Sequence, residues 1–249
     1  MQKLAWLAAL MGLLVPVSSA QATGTAVGVD PDAEARGAAA RTLVVGDDVF
    51  IGDRIVTDAR GQVQILFDDD TKLVVGPRSS LVIEDYLLRA NGSAGKLAVN
   101  ALSGTFRFIT GGAPKDRYVI STPTGQIGVR GTAFDFYVTK SATYLLQLHG
   151  STVNCSRSGD CEVLTDRCEF GIISSSDVET LDHVRELRGD GREKSRAWFR
   201  YSVSQSPLLR QFRVSGADRC FRSGAAAEPP ASISDPLVFV RPRNDDSIE

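Results

Sequence analysis

The chain has 249 residues and a formal net charge of −2, with 43% hydrophobic and 23% charged residues. A chain of this length can bury one substantial core, and its composition is that of an ordinary globular protein. The near-neutral charge gives no global positive field, which argues against nucleic acid as a partner.

The first predicted element is a secretory signal peptide at residues 1–22. Lys3 supplies a positive start, an apolar run covers residues 4–15, and Ala20 and Ala22 have the spacing of a cleavage site. The alternative is an uncleaved membrane anchor, but the apolar run is shorter than the roughly 20 residues that cross a bilayer. We therefore expect a periplasmic or secreted protein with no stable membrane insertion after cleavage.

The rest of the chain divides into four predicted parts. Residues 23–41 are small and polar, which predicts a flexible leader. Residues 42–174 consist of short Val, Ile, Leu and Phe runs separated by Gly, Asp, Asn and Pro, which is typical of many short strands. They predict an all-β fold, an antiparallel β-sandwich or stacked sheets around one core. Residues 175–222 are predicted to form a short helical segment, and residues 223–249 a disordered tail.

The chain has four cysteines: Cys155, Cys161 and Cys168 lie in the last part of the predicted β domain, and Cys220 lies near the end of the predicted helical segment. An even number of cysteines in an exported chain indicates disulfides, and four cysteines allow three pairings. We favour Cys155–Cys161, which flank a turn-like loop, with Cys168–Cys220 tying the C-terminal segment to the β domain. The alternative is a four-cysteine zinc site, but the spacings are wider than those of the usual zinc-binding cysteine pairs.

The sequence shows no pattern typical of a catalytic or metal site. His149 and His183 are its two histidines, and neither a G-x-S-x-G nor an H-E-x-x-H motif is present. The acidic run at residues 68–70 lacks the spacing of a calcium-binding loop, so we interpret it as a solvated hairpin tip. We predict that the protein is not an enzyme and has no cofactor or metal ion.

The most distinctive segment is STPTGQIGVRGTAFDFYV, at residues 121–138. It predicts a turn followed by a strand, and its motif residues are Thr122, Pro123, Gly125, Arg130, Gly131, Thr132 and Phe134. Arg130 is either an anion or partner contact, or a structural arginine paired with Asp135 or Glu84, and we favour the structural interpretation. Gly131→Val should disrupt folding, because the R-G-T turn needs glycine geometry.

This segment resembles the T-P-x-G-x-x-x-V-R-G-T-x-F signature of FecR-type domains. Further matches occur in the family's order at residues 52–57, 61–67, 69–73 and 102–108. Asp70 replaces the glycine of the family's D-G-T turn, so that turn must tolerate a Cβ atom. The resemblance spans roughly residues 45–153 and implies an extracytoplasmic all-β module, best known from sensors that relay iron–siderophore signals.

FecR-type sigma regulators carry a cytoplasmic anti-sigma segment and a membrane helix before the periplasmic domain. This chain opens with the predicted export signal instead, so we do not expect it to hold a sigma factor itself. The resemblance favours a binding or signalling module that acts through a protein partner in the cell envelope. The alternative is a structural or glycan-binding envelope protein.

The basic, aromatic part of the C-terminal segment is the candidate contact surface. Its candidate partner-binding residues are Arg196, Trp198, Arg200 and Arg210. They would face an acidic protein partner or an anionic polysaccharide. The alternative, which we favour, is an amphipathic helix that packs its aromatic side chains on the β domain.

Overall fold

The computed structural model describes residues 22–88, 94–112 and 118–222. In these ranges the chain forms fifteen strands, two α-helices and three 3₁₀ turns. The strands are β1 Ala22–Asp30, β2 Ala33–Arg36, β3 Ala40–Thr42, β4 Asp48–Phe50, β5 Arg54–Thr57, β6 Gln62–Phe67, β7 Lys72–Val75, β8 Ser80–Leu88, β9 Ala94–Ile109, β10 Tyr118–Ser121, β11 Gly125–Val138, β12 Thr143–Ser156, β13 Cys161–Leu164, β14 Phe170–Ile173 and β15 Val178–Leu181. The helices are α1 Asp190–Trp198 and α2 Arg200–Val203, and the 3₁₀ turns are Val184–Glu186, Arg210–Phe212 and Ala217–Cys220.

All fifteen strands are linked by hydrogen bonds into one sheet. Its main path runs β15-β14-β12-β11-β10-β9-β7-β6-β1-β4, and β2, β3, β5 and β8 form a branch that joins at β9. The prediction of a mostly β fold with a helical, disulfide-linked C-terminal segment is confirmed. Among the described strands β9 and β10 pair in parallel, whereas the expected sheet was antiparallel throughout.

The long strands β9, β11 and β12 carry the core from one end of the sheet to the other. Phe106, Phe108, Phe134 and Phe136 alternate along β9 and β11, and all four are buried in the main apolar cluster. Alternation places every second side chain on one face, which is why these Phe-x-Phe sequences face inward. Phe134 of the T-P-x-G motif therefore has a core role.

The prediction that residues 23–41 form a flexible leader is wrong, because this range contains strands β1 to β3. The small residues serve close packing. Ala26 and Ala35 are fully buried in the core, and a Cβ atom on Gly24 would lie 2.7 Å from the Leu66 carbonyl oxygen. A segment of small and polar residues is typical of a loop. Ala and Gly, however, also suit a strand that lies very close to its neighbours.

The C-terminal part of the chain covers the outer face of the sheet. We call residues 183–222 the basic cap; it contains both helices and the three 3₁₀ turns. Phe199, Tyr201 and Phe212 of the cap are fully buried and pack with sheet residues in two apolar clusters separate from the main core. The predicted helical segment at 175–222 also contains β15, so strands extend further along the chain than expected.

Two disulfides link this part of the molecule, and they have the pairing favoured from the sequence. Cys155–Cys161 closes the β12–β13 hairpin, and Cys168–Cys220 ties the end of the basic cap to the sheet. All four cysteines are therefore oxidised, and the alternative of a four-cysteine zinc site is wrong.

The structure does not describe the two ends of the sequence. Positions 1–21 of the predicted signal peptide and the predicted tail at 223–249 lie outside the described residues, while Ala22 begins β1. Within the described ranges, no helix is long and apolar enough to cross a membrane.

Candidate binding surface

The T-P turn joins β10 to β11 and is held by its own hydroxyl groups. The Thr122 N–H donates to the Gly125 carbonyl oxygen at 2.8 Å, and the Thr122 hydroxyl accepts from the Gly125 N–H at 3.1 Å. Thr143 of β12 donates to the same hydroxyl at 3.0 Å. Pro123 suits this turn because its ring fixes its φ angle near the value that the second residue of a β-turn adopts. These contacts give Thr122, Pro123 and Gly125 structural roles.

The R-G-T sequence forms a bulge between β11 and β12. Gly131 and Gly150 have φ angles of 64° and 72°, in the region that favours glycine, and they lie where the register of the two strands shifts. The Thr132 N–H donates to the Thr110 hydroxyl at 2.9 Å, and its own hydroxyl donates to the His149 carbonyl oxygen. The bulge is thus fixed to both neighbouring strands.

Arg130 does not have the structural role that we favoured from the sequence. Its side chain is exposed, because strand alternation points Val129 into the core and Arg130 away from it. Both predicted partners are engaged elsewhere. Asp135 pairs with Arg107, and Glu84 accepts a hydrogen bond from Asn100 at 2.8 Å.

A fully buried structural arginine of this domain is Arg107, on β9. It pairs with Asp135 of β11 through two hydrogen bonds, Nε to Oδ1 at 2.6 Å and Nη2 to Oδ2 at 2.9 Å. Both side chains are fully buried. Sequence reasoning did not single out Arg107. A signal was present, since the sequences Phe-Arg-Phe at 106–108 and Phe-Asp-Phe at 134–136 match across an antiparallel pair.

The buried pair is where the basic cap attaches to the sheet. Gln205 accepts from Arg107 Nη1 at 2.6 Å, and the Ser202 hydroxyl donates to Asp135 Oδ2 at 2.7 Å. Nearby, Gln64 of β6 accepts from the Leu209 N–H at 2.8 Å. A buried charge is tolerated only when it is paired and hydrogen-bonded, so cap and sheet depend on each other here.

Trp198, the last residue of α1, anchors the cap by aromatic stacking. Its ring stacks on Tyr144, with centroids 4.2 Å apart, and on Tyr137 at 5.4 Å. Both tyrosines lie on the outer face of the long β11–β12 hairpin. The favoured interpretation of the aromatic residues, packing on the β domain, matches this arrangement.

The three predicted partner-binding arginines have exposed side chains. Arg196 donates to the Phe221 carbonyl oxygen at 3.3 Å, and Arg200 lies over the Tyr201 ring at 6.0 Å. Arg210 begins a 3₁₀ turn. In the part of the chain that the structure describes, none of the three has a carboxylate partner. They present positive charge on a fixed surface.

The acidic turn at residues 68–70 is only partly the solvated tip that the sequence suggested. Asp69 is buried and accepts hydrogen bonds from the Thr71 hydroxyl at 2.8 Å and the Tyr118 hydroxyl at 2.7 Å. Asp70 has a φ of 67°, in the left-handed region that favours glycine, so this turn does tolerate a Cβ atom. Partial burial and the nearby Asp69 charge raise the pKa of Asp68. Within the described ranges, no group of three or more His, Cys, Asp or Glu side chains could hold a metal ion.

His183 begins the basic cap and stabilises its first turn. Its Nδ1 accepts a hydrogen bond from the Arg185 N–H at 3.0 Å. Burial, and to a lesser degree the Arg185 charge, lower the pKa of His183, so the neutral ring that can accept this bond is favoured.

This geometry defines an all-β domain with a helical cap fixed across its outer face. Residues 53–152 match the protein-family model described as FecR protein. The match includes the T-P turn, the R-G-T bulge and both residues of the buried pair, so this part of the chain is a FecR-like domain, as the resemblance predicted. The basic cap lies beyond the matched range.

Two crystal structures of a candidate anti-sigma factor from Parabacteroides distasonis are similar to part of this chain. Each is 12% identical to this chain, with a TM-score of 0.41 over 52% of this chain and 59% of the other. The chain thus spans less than two thirds of the length of those proteins. No curated protein matches the sequence.

Proposed function

We propose that this protein is a regulatory binding module of the cell envelope, which recognises a protein partner through its basic cap. The FecR-like domain supports the regulatory role. The observation that carries the proposal is the set of exposed cap arginines without carboxylate partners among the described residues, held on a surface that the sheet fixes in place.

Charge is distributed unevenly between the cap and the rest of the chain. Residues 183–222 contain ten arginines and lysines against four aspartates and glutamates, whereas the whole chain has a net charge of −2. The rest of the chain is therefore acidic. Such an asymmetry orients an approaching partner and favours an acidic surface facing the cap.

The cap is well suited to binding because it is already ordered. The Cys168–Cys220 disulfide, the Arg107–Asp135 pair and the Trp198 stack hold it at three separate places. Arginines on an ordered backbone lose less conformational entropy on binding than arginines on a mobile segment. The cap thus supplies a preformed positive surface.

An envelope location is part of this proposal. Two disulfides support it, because such bonds persist mainly in oxidising compartments such as the periplasm and the extracellular space. The predicted signal peptide at residues 1–22 is consistent with the same location.

A second candidate function is a structural or glycan-binding role, with an anionic polysaccharide on the same cap. The observation that favours it is the high proportion of arginine, which pairs readily with the carboxylate or phosphate groups of such polymers. A polymer would contact many arginines weakly, whereas a folded partner would depend on a few of them strongly.

In-cell crosslinking of the tagged full chain, followed by mass spectrometry, tests the proposal. We expect one envelope protein to be captured by the wild type and lost from the double variant Arg200→Glu/Arg210→Glu. Arg54→Glu, an exposed arginine on β5, whose paired strands are β2 and β8, is the matched control and should keep the capture. Salt-sensitive retention on wall or capsule material alone would favour the glycan role, and capture unaffected by the double variant would overturn the cap as the contact surface.

A further inference from the structure

A pocket of about 480 Å³ lies where the R-G-T bulge meets the basic cap. Pockets that hold small molecules usually measure about 300–1,000 Å³. Its apolar part is formed by Ile109, Ala133 and Val214, and its polar part includes His149, Arg167 and Arg213. The sheet supplies one wall and the cap the other, so the pocket is complete only while the cap is docked.

The two arginines are held in place without being neutralised. Arg167 Nε donates to the Leu148 carbonyl oxygen at 3.3 Å. Arg213 Nε donates to the Leu208 carbonyl oxygen at 2.8 Å, and its Nη2 to the Ser206 carbonyl oxygen at 3.4 Å. A carbonyl oxygen orients a guanidinium group but leaves its full positive charge. Neither arginine has a carboxylate partner in the described ranges, and none of the residues that line the pocket is acidic.

We propose that this pocket binds a small organic anion. A carboxylate or phosphate group would lie between Arg167 and Arg213, whose remaining N–H groups can each donate to two oxygens. The apolar part of the ligand would pack on Ile109, Ala133 and Val214. None of the proposed partner-binding arginines, Arg196, Arg200 and Arg210, lines this pocket. The site adds a small-molecule ligand to a protein proposed above to bind a macromolecule.

Such a ligand would stabilise the docked position of the cap. Arg213 belongs to the cap, whereas Arg167 and Ala133 belong to the sheet and its loops. An anion shared by Arg167 and Arg213 bridges the two. Because a ligand shifts an equilibrium toward the state that binds it, bound anion should protect the cap from local opening.

Isothermal titration calorimetry on the full-length oxidised protein tests the site, with phenyl phosphate and benzoate as probes and benzyl alcohol as the neutral comparison. We expect at least one anion to bind with a dissociation constant in the millimolar range or tighter, and the alcohol not to bind. Phenyl phosphate should bind more tightly than inorganic phosphate, because its ring reaches the apolar wall. Comparing phenyl phosphate with benzoate identifies the preferred anionic group.

Variants locate the binding. Arg167→Gln and Arg213→Gln should each weaken it about tenfold, the loss expected for one charged hydrogen-bonding partner, whereas Arg60→Gln should leave it unchanged. If Arg213→Gln loosens the cap, as near-UV circular dichroism would reveal, Arg213→Lys keeps the charge and should retain most of the affinity. The proposal is overturned if neither anion binds, if both glutamine variants bind as the wild type does, or if inorganic and phenyl phosphate bind equally.

Discussion

Arg107 and Asp135 lie directly opposite each other on β9 and β11 and form a fully buried ion pair. The flanking phenylalanines pair across the same two strands, Phe106 with Phe136 and Phe108 with Phe134. The same register therefore pairs the phenylalanines on the core face of the sheet and the two charged residues on the opposite face. A slip by one residue would turn the charges into the core, so this match fixes strand register and also the site where the cap docks.

Removing one partner of this pair should destabilise the fold strongly. Asp135→Leu leaves the Arg107 charge buried without its partner, and we expect a loss of about 3–5 kcal/mol in the free energy of unfolding. Urea denaturation followed by circular dichroism measures it. The double variant Arg107→Met/Asp135→Leu should lose less than Asp135→Leu alone, since it leaves no unpaired charge. A loss below about 1 kcal/mol in the single variant would contradict a structural role for the pair.

The sequence was a better guide to the fold class than to which residues pair across the strands. Hydrophobic alternation and the FecR-like motifs were sufficient for a β domain, and the loop between Cys155 and Cys161 was sufficient for one disulfide. The charge pair was missed, because Arg130 is close to Asp135 along the chain whereas Arg107 is 28 residues away. Local sequence does not specify which strands meet, and only the paired strands place Arg107 opposite Asp135.

The cap could be predicted only in part for a similar reason. Its aromatic residues indicated packing, but the positions that receive it, such as Gln64 and Tyr144, lie far away in the sequence. The pocket was not predicted at all. Arg167 and Arg213 belong to separate loops that only the docked cap brings to one cavity.

Gly131 and Gly128, both on β11, should respond differently to substitution by alanine. Gly131 has a φ of 64°, so Gly131→Ala should cost about 1–2 kcal/mol of stability, and Gly131→Val more because of its branched Cβ. Gly128 has ordinary strand geometry, and an added Cβ would lie 3.6 Å from the nearest atom. Gly128→Ala should therefore be neutral or stabilise by up to about 1 kcal/mol. Thermal unfolding of both variants measures this difference. Equal stability of Gly131→Ala and Gly128→Ala would argue against a conformational need for glycine at position 131.

The two disulfides should contribute unequally to stability. Cys168 and Cys220 are 52 positions apart, and Cys155 and Cys161 are 6 apart. By loop-closure entropy the first should stabilise by about 4 kcal/mol and the second by about 2 kcal/mol. Cys168→Ala/Cys220→Ala should also make the basic cap sensitive to limited proteolysis, whereas Cys155→Ala/Cys161→Ala should leave it protected. Equal protease resistance in the two double variants would show that the cap does not need its bridge.

Acidification should weaken the start of the cap through His183. Its pKa is lowered in the folded protein from an ordinary value of about 6.5, so the unfolded state binds the proton more readily. The contribution of His183 is therefore complete above about pH 6.5 and decreases as the pH falls through the window between the two pKa values. Histidine NMR and unfolding at several pH values test this. His183→Asn should flatten the pH dependence in this window, and an unchanged profile would assign it to other groups.

Substitutions of Trp198 and Arg210 should distinguish residues that pack the basic cap on the sheet from residues that bind a partner. Trp198 stacks on Tyr137 and Tyr144, so Trp198→Ala should lower stability by about 3 kcal/mol, near the lower end for a large aromatic residue because Trp198 is only half-buried. Arg210 is exposed, so Arg210→Ala should change stability by less than about 0.5 kcal/mol while weakening partner capture. Thermal unfolding and crosslinking of both variants provide the two measurements. A strong loss of stability in Arg210→Ala, or full capture by it, would remove Arg210 from the binding surface.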